Sequence, residues 1–171
     1  MVERVIDALE TRRADPSDVE GMTAAHRDSI LSLGPSCYPP RVVEAWAEGL
    51  APSIYLQAME QGEVFFVATA CVNGEPMIVG FSSEYPLDGT THGMSVYVRG
   101  VAARQGIGSR LLALAEENAI DRGARSIEVE ASLVGVEFYR SQGFVELERG
   151  EIQLRSGHPI ACVFMRKRLG V

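Results

Sequence analysis

The residues best arranged for chemistry lie in one run, Val96-Tyr97-Val98-Arg99-Gly100-Val101-Ala102-Ala103-Arg104-Gln105-Gly106-Ile107-Gly108-Ser109-Arg110-Leu111-Leu112. A strand-forming stretch leads into a glycine-bearing turn, and the pattern of an amphipathic helix follows. Glycines at 106 and 108 let backbone approach a ligand without a Cβ in the way. The next helix would aim its unpaired N–H groups and positive dipole end at the same point. The expected guest is a phosphate or pyrophosphate, although glycines before a helix also serve short turns for steric reasons alone. A Walker-type loop needs Gly-x-x-x-x-Gly-Lys-[Ser/Thr], and the only lysine of the chain is Lys167. A dinucleotide fingerprint needs a third glycine where this chain has Leu111.

Other reactive side chains are scattered. Cys37, Cys71 and Cys162 are odd in number and far apart, so the sequence encodes neither a disulfide framework nor a zinc site, and reduced thiols are expected. His26, His92 and His158 are equally dispersed and show no metal-ligand spacing, so no metal is expected.

The 171 residues are expected to form one domain around a single core, with 46% hydrophobic and 23% charged residues, as in ordinary globular chains. A net charge of −7 argues against nucleic acid as the main partner and favours a neutral or cationic small substrate. The basic triplet Arg166-Lys167-Arg168 reads as a solvated strand end. Met1-Val2-Glu3-Arg4-Val5 lacks the form of a signal peptide, and no segment reaches about 18 consecutive apolar residues, so a cytoplasmic protein without a membrane partner is expected.

The elements that must position the loop can be followed along the chain. A strand near Leu9 to Ala14 precedes Asp15-Pro16-Ser17-Asp18, a helix-start signal. A helix through His26 to Leu31 follows, then breaks at Gly34-Pro35-Ser36 and Pro39-Pro40, then a second helix near Arg41 to Gly49 carrying Trp46. Val64 to Ala70 and Met77 to Phe81, separated by Asn73-Gly74, read as a hairpin. Leu111 to Arg122 is a helix with an apolar stripe of Gly108, Leu112, Ala115 and Ala119, ended by Gly123. Ser126 to Ala131 alternates as a strand. A short helix from about Val134 to Gln142 and strands at Phe144 to Leu147 and His158 to Met165 complete a mixed sheet with helices on both sides. The fold class is therefore α/β or α+β, in one domain.

This order of elements, joined to the loop, resembles the GNAT (GCN5-related N-acetyltransferase) family over most of the chain. The family's pyrophosphate motif, Arg/Gln-x-x-Gly-x-Gly/Ala, falls on Ala103-Arg104-Gln105-Gly106-Ile107-Gly108, with Ser109 and Leu111-Leu112 also typical. A second hallmark, Asn-x-x-Ala-x-x-Phe-Tyr-x-x-x-Gly-Phe, falls on Ser132 to Phe144. The chain departs from these patterns at Ala103, Ser132 and Gly135. The resemblance implies a sheet of six to seven strands splayed to take acetyl-CoA as cosubstrate. It also implies a cofactor-binding core over residues 93–145 and a helix pair over about 16–50 as an acceptor-side lid.

The resemblance further implies a primary amine of a small molecule, peptide or protein attacking the thioester directly, and a homodimer. Tyr139 falls at the family's general acid. Backbone N–H groups of Val96, Tyr97 and Val98, aimed by a bulge, would hold the oxyanion, and Arg104 to Ser109, Ser132 and Tyr139 would contact the cofactor. His92 aligns with the family's base, with Glu84, Glu130 or a water chain as alternatives. His26 and Tyr38 are expected to bind the acceptor, Trp46 is a further candidate, and Cys37 is a bystander. Two rival functions stay open: a catalytically silent acyl-CoA-binding module, and acyl transfer to a hydroxyl.

Overall fold

The computed structural model describes residues 6–170; Met1 to Val5, on which the reading of the chain's start rests, and Val171 lie outside the described residues. The strands β1 (Ile6–Arg13), β2 (Val64–Val72), β3 (Glu75–Asp88), β4 (Thr91–Val98), β5 (Ser126–Ser132), β6 (Val145–Gln153) and β7 (Pro159–Arg168) form one seven-stranded sheet in the order β1-β2-β3-β4-β5-β7-β6. All neighbours are antiparallel except β4 and β5. That parallel contact lasts only from Thr91↔Ser126 to Gly93↔Glu128, after which the two strands diverge. The expected mixed α/β sheet is thus present, and its splay is visible as the early end of one ladder.

Three helices cover one face: α1 (Val19–Leu33), α2 (Pro40–Ala47) and α3 (Pro52–Glu60). Val19, Met22 and Tyr55 pack on Phe65, Val67 and Phe81, and α2 packs Val42, Val43 and Ala47 toward Ile160 of β7. The expected helix pair is a trio. The third helix follows Gly49 at once, and Pro52 at its first position, where its missing N–H costs nothing, was the available signal.

The opposite face carries α4 (Ile107–Asp121) and α5 (Val136–Ser141). Leu111, Leu112, Ala115 and Ala119 are almost fully buried on the sheet, as the stripe implies. The small residues let α4 lie close to β3, where Ser82 donates to the Leu111 carbonyl at 2.9 Å. Several strands run further than their sequence pattern suggests. β3 continues past Phe81 to Asp88, β4 begins at Thr91, and β6 extends to Gln153, because cross-strand pairing stabilises segments whose own alternation is weak. The basic triplet ends β7, with Lys167 paired to Glu116 at 2.8 Å and Arg166 paired to Glu128. No described helix is long and apolar enough to cross a membrane.

Candidate active site

The glycine-bearing turn forms the predicted cradle. Arg104 and Gly106 both take left-handed backbone, φ 61° and φ 80°, and this alternation turns successive N–H groups inward. Gly106 caps α4 without a side-chain cap and no acid sits in the first turn, so the N–H groups of Ile107, Gly108 and Ser109 lack helical partners; the helical ladder starts with Arg110 N–H to the Gly106 carbonyl, 3.1 Å. A Cβ at Gly108 would stand 3.2 Å from the Phe138 ring, whereas one at Gly106 would meet open space. Glycine at 108 therefore lets α4 approach α5, and glycine at 106 supplies the backbone angle.

A cleft of about 570 Å³ runs from this turn into the splay, lined by Val98, Arg104, Gly106, Gly108, Ser109 and Phe138 among others. Gln105 bonds back to the Val101 carbonyl at 3.1 Å and Ile107 is core, so these two contribute backbone alone. At its inner end the cleft meets a smaller pocket of about 110 Å³, lined by Ser95, Tyr97, Glu130, Ser132, Tyr139 and Cys162.

The amides of β4 are presented without the expected bulge. The β3–β4 register runs unshifted from Gly80↔Val98 to Pro86↔His92. Arg99 donates to Val79 at 2.8 Å, so by alternation the N–H groups of Tyr97 and Ser95 bond β3 while those of Val96 and Val98 point away from it, into the splay. Departure of β5 exposes them, and no irregularity is needed; the donors are Val96 and Val98, not Tyr97.

Tyr139 is buried against Phe138 and Phe144, and its hydroxyl faces the Val96 N–H. Burial pushes this phenol well above its ordinary 10, Tyr97 adds to the rise, and the Val96 amide opposes it.

His92 lies elsewhere. It is 3% exposed on the α4 side of β4, and its Nδ1 is hydrogen-bonded to Glu84. Glu84 is wholly buried and also accepts from Asn118 (2.8 Å) and Arg122 (2.7 Å). These partners sit near the far end of α4, about 18 Å along its axis from Gly106. His92 and Glu84 lie on the α4 side of the sheet, buried and paired with each other, and neither lines the pocket, so the expected base is a buried strut. Glu130 does line the pocket, from β5.

Tyr38 also lines the pocket, but its hydroxyl is committed: it donates to the Ala161 carbonyl (2.6 Å) and accepts from Leu133 N–H (2.8 Å). It clamps the α1–α2 connection to β7 and to the segment after β5, with its ring against Trp46, which lines both cavities. His26 stacks 3.8 Å from Tyr97 and shares a 2.8 Å hydrogen bond with Tyr55, while its buried Nε2 has no partner among the described residues. Burial, helped by Arg155, pushes its pKa down to about 3, so it is neutral and supports the wall behind Tyr97. Cys37 is exposed and outside both cavities. Cys162 lines the inner pocket, and burial pushes its thiol pKa up, which disfavours a nucleophilic thiolate.

Sequence reasoning passes over Ser95, which lines the inner pocket from β4, because it does not carry β4 back to Thr91.

The sequence profile of the acetyltransferase (GNAT) family matches residues 27–144. Among solved structures, the chain is similar to a GCN5-related N-acetyltransferase from Rhodopseudomonas palustris, with 28% identity, 96% of this chain and 98% of that one covered, and a TM-score of 0.79. It is similar to a ribosomal-protein-alanine N-acetyltransferase from Brucella melitensis, at 26% identity over 94% and 99% of the chains, TM-score 0.68. It shares its fold with a PaiA N-acetyltransferase from Thermoplasma acidophilum in complex with coenzyme A, at 18% identity over 95% and 100%, TM-score 0.75. No curated protein sequence matches the chain.

Proposed function

This chain belongs to the acetyltransferase (GNAT) family, and on that premise we propose that it transfers the acetyl group of acetyl-CoA to a primary amine of a small molecule, peptide or protein by direct attack. The observation that carries this reading is the continuous cleft from the α4 N-terminus to a pocket between the diverging β4 and β5, with Tyr139 at its inner end. Its volume suits a ligand of cofactor size. Acetyl-CoA supplies an activated thioester carbonyl. The free N–H groups of Ile107, Gly108 and Ser109 would hold its pyrophosphate, with Arg104 at the mouth. Ala103 contributes no side chain there, so binding leans on backbone donors.

Val96 N–H, which faces the Tyr139 hydroxyl in the free protein, would donate a hydrogen bond to the carbonyl oxygen as negative charge develops on it during amine addition. Tyr139 would donate its hydroxyl proton to the departing thiolate sulfur and take back the proton that the attacking nitrogen loses as the amide forms; a phenol is protonated at neutral pH, so the proton is in place. Burial that disfavours the Cys162 thiolate, and the position of Cys37 outside both cavities, make these thiols poor nucleophiles, which favours direct attack. Trp46, Leu154 and the ring of Tyr38 close the acceptor end.

Calorimetric titration of acetyl-CoA and free coenzyme A tests this first. Micromolar binding that disappears in Gly106→Glu is expected, followed by thiol release with a panel of primary amines. A folded protein that binds neither compound overturns the reading, and one that binds but never turns over is the silent acyl-CoA module.

A further inference from the structure

Three side chains run in file from the inner pocket toward solvent on the acceptor side of the sheet. Ser95 of β4 lines the pocket beside Tyr97. Its Oγ lies 2.6 Å from that of Ser83, its direct partner across the β3–β4 ladder. Ser83 is 1% exposed and pairs with Phe65 of β2, so Glu63, two residues before Phe65 and half-buried, sits diagonally across from it on the same face, with its carboxyl beside the Ser83 hydroxyl.

The order of these groups gives the chain of hydrogen bonds a direction. A carboxylate only accepts, so a hydrogen bond between the two would have Ser83 donating to Glu63. Ser83 then accepts from Ser95, and the free lone pair of Ser95 is left facing the pocket. The geometry points to Glu63 as the base of the transfer proposed above, reached by the acceptor's ammonium through Ser95 and Ser83. The ammonium gives one proton to Ser95 Oγ; the Ser95 hydroxyl proton passes to Ser83 Oγ; the Ser83 hydroxyl proton passes to the Glu63 carboxylate. Both serines end as hydroxyls, the amine ends neutral with its lone pair free, and Glu63 ends as the carboxylic acid. Its partial exposure then lets the proton leave to water.

The surroundings suit the task. Desolvation pushes the Glu63 carboxyl up from its ordinary range, and Glu84 adds to the rise, while Ser83 and Arg155, on the β6–β7 turn, oppose it. A carboxylate raised in this way is a better base near neutral pH. Tyr85 of β3 stands near both Glu63 and Glu130. Glu130 faces the pocket from an exposed position and attracts the cation.

The relay predicts that the base matters only for an acceptor that must lose a proton before it can attack; the proton that any amine loses after attack returns to Tyr139. Butylamine is an ammonium at neutral pH, and O-methylhydroxylamine is already neutral. Glu63→Gln should lower kcat/KM for butylamine roughly 100-fold and leave transfer to O-methylhydroxylamine and acetyl-CoA affinity unchanged. Ser95→Ala should reproduce the pattern, and the double variant should be no worse than either single one, because both act in one path. Equal loss on both amines would mark Glu63 as structural, and no loss on butylamine would remove it as the base; either overturns the relay. A selective loss in Glu130→Gln instead would hand the base to Glu130 and overturn it too. Wild-type protein that binds acetyl-CoA but acetylates neither amine overturns the transfer reaction itself, and the relay with it.

Discussion

Ser83 and Glu84 are adjacent in β3, yet they belong to opposite worlds. Glu84 points toward α4, is wholly buried, and is saturated by His92, Asn118 and Arg122. Ser83 points the other way, into a file of groups that ends at a cavity. Both faces hold a carboxylate with polar partners, but the space around Glu84 is filled by its own partners, whereas the file through Ser83 ends at the pocket. A buried charge whose partners are complete ties elements together; a group with an unfilled hydrogen-bonding direction toward a cavity is available for chemistry. Histidine at 92 has the right residue type for a base and the wrong face.

The largest expected contrast comes from breaking each side. Glu84→Ala leaves His92 and Arg122 facing an empty buried site and should cost about 3–5 kcal/mol in denaturant unfolding. Glu63→Gln should stay within about 1 kcal/mol of wild type in the same measurement, because glutamine has the same shape and the side chain is only half-buried. A cheap Glu84→Ala would dissolve the distinction.

Tyr139→Phe should come next, lowering kcat about 100-fold while the calorimetric affinity for acetyl-CoA stays put. Equal loss of both would make Tyr139 a packing residue.

The acceptor side has one structural titrating group of its own, His26, and pH isolates it. Its pKa is about 3 in the folded state against the ordinary 6.5 of an exposed histidine, so below neutrality the unfolded chain binds more protons. Its contribution is complete above about pH 6.5 and is lost as pH falls toward 3, amounting to about 1.4 kcal/mol between pH 7.5 and 5.5. His26→Phe should flatten that part of the stability–pH curve; an unchanged slope would show that His26 does not carry it.

The smallest effect is expected at Gly135. A Cβ there would sit 3.4 Å from the Tyr139 ring and 3.6 Å from Ser132, ordinary contact distances, and the residue's φ is −92°. Gly135→Ala should therefore stabilise by about 0.4–1 kcal/mol through the unfolded chain, read as a higher melting temperature. Destabilisation would mean that the glycine is sterically required.

What the sequence alone determined was local. Spacing within one turn placed the glycine cradle at the head of α4, and the 3.6-residue stripe of Leu112, Ala115 and Ala119 set the buried side of that helix. The Asn73-Gly74 turn set the β2–β3 hairpin, and the run from Ser132 to Phe144 announced α5 and Tyr139. Each depends on neighbours a few residues apart, where backbone geometry dictates the outcome. Tertiary structure decided the rest, because it depends on partners that no spacing encodes. The Tyr38 clamp joins residues 95 and 123 positions away, and α3 owes its place to packing of Tyr55 on Phe65 and Phe81. The contrast between His92 and the proposed Glu63 turns on which side chains are filled by partners and which lead to the gap between β4 and β5. That gap exists because the β4–β5 ladder stops at Gly93, and the loss of those pairings frees strand backbone and opens the pocket beside Ser95.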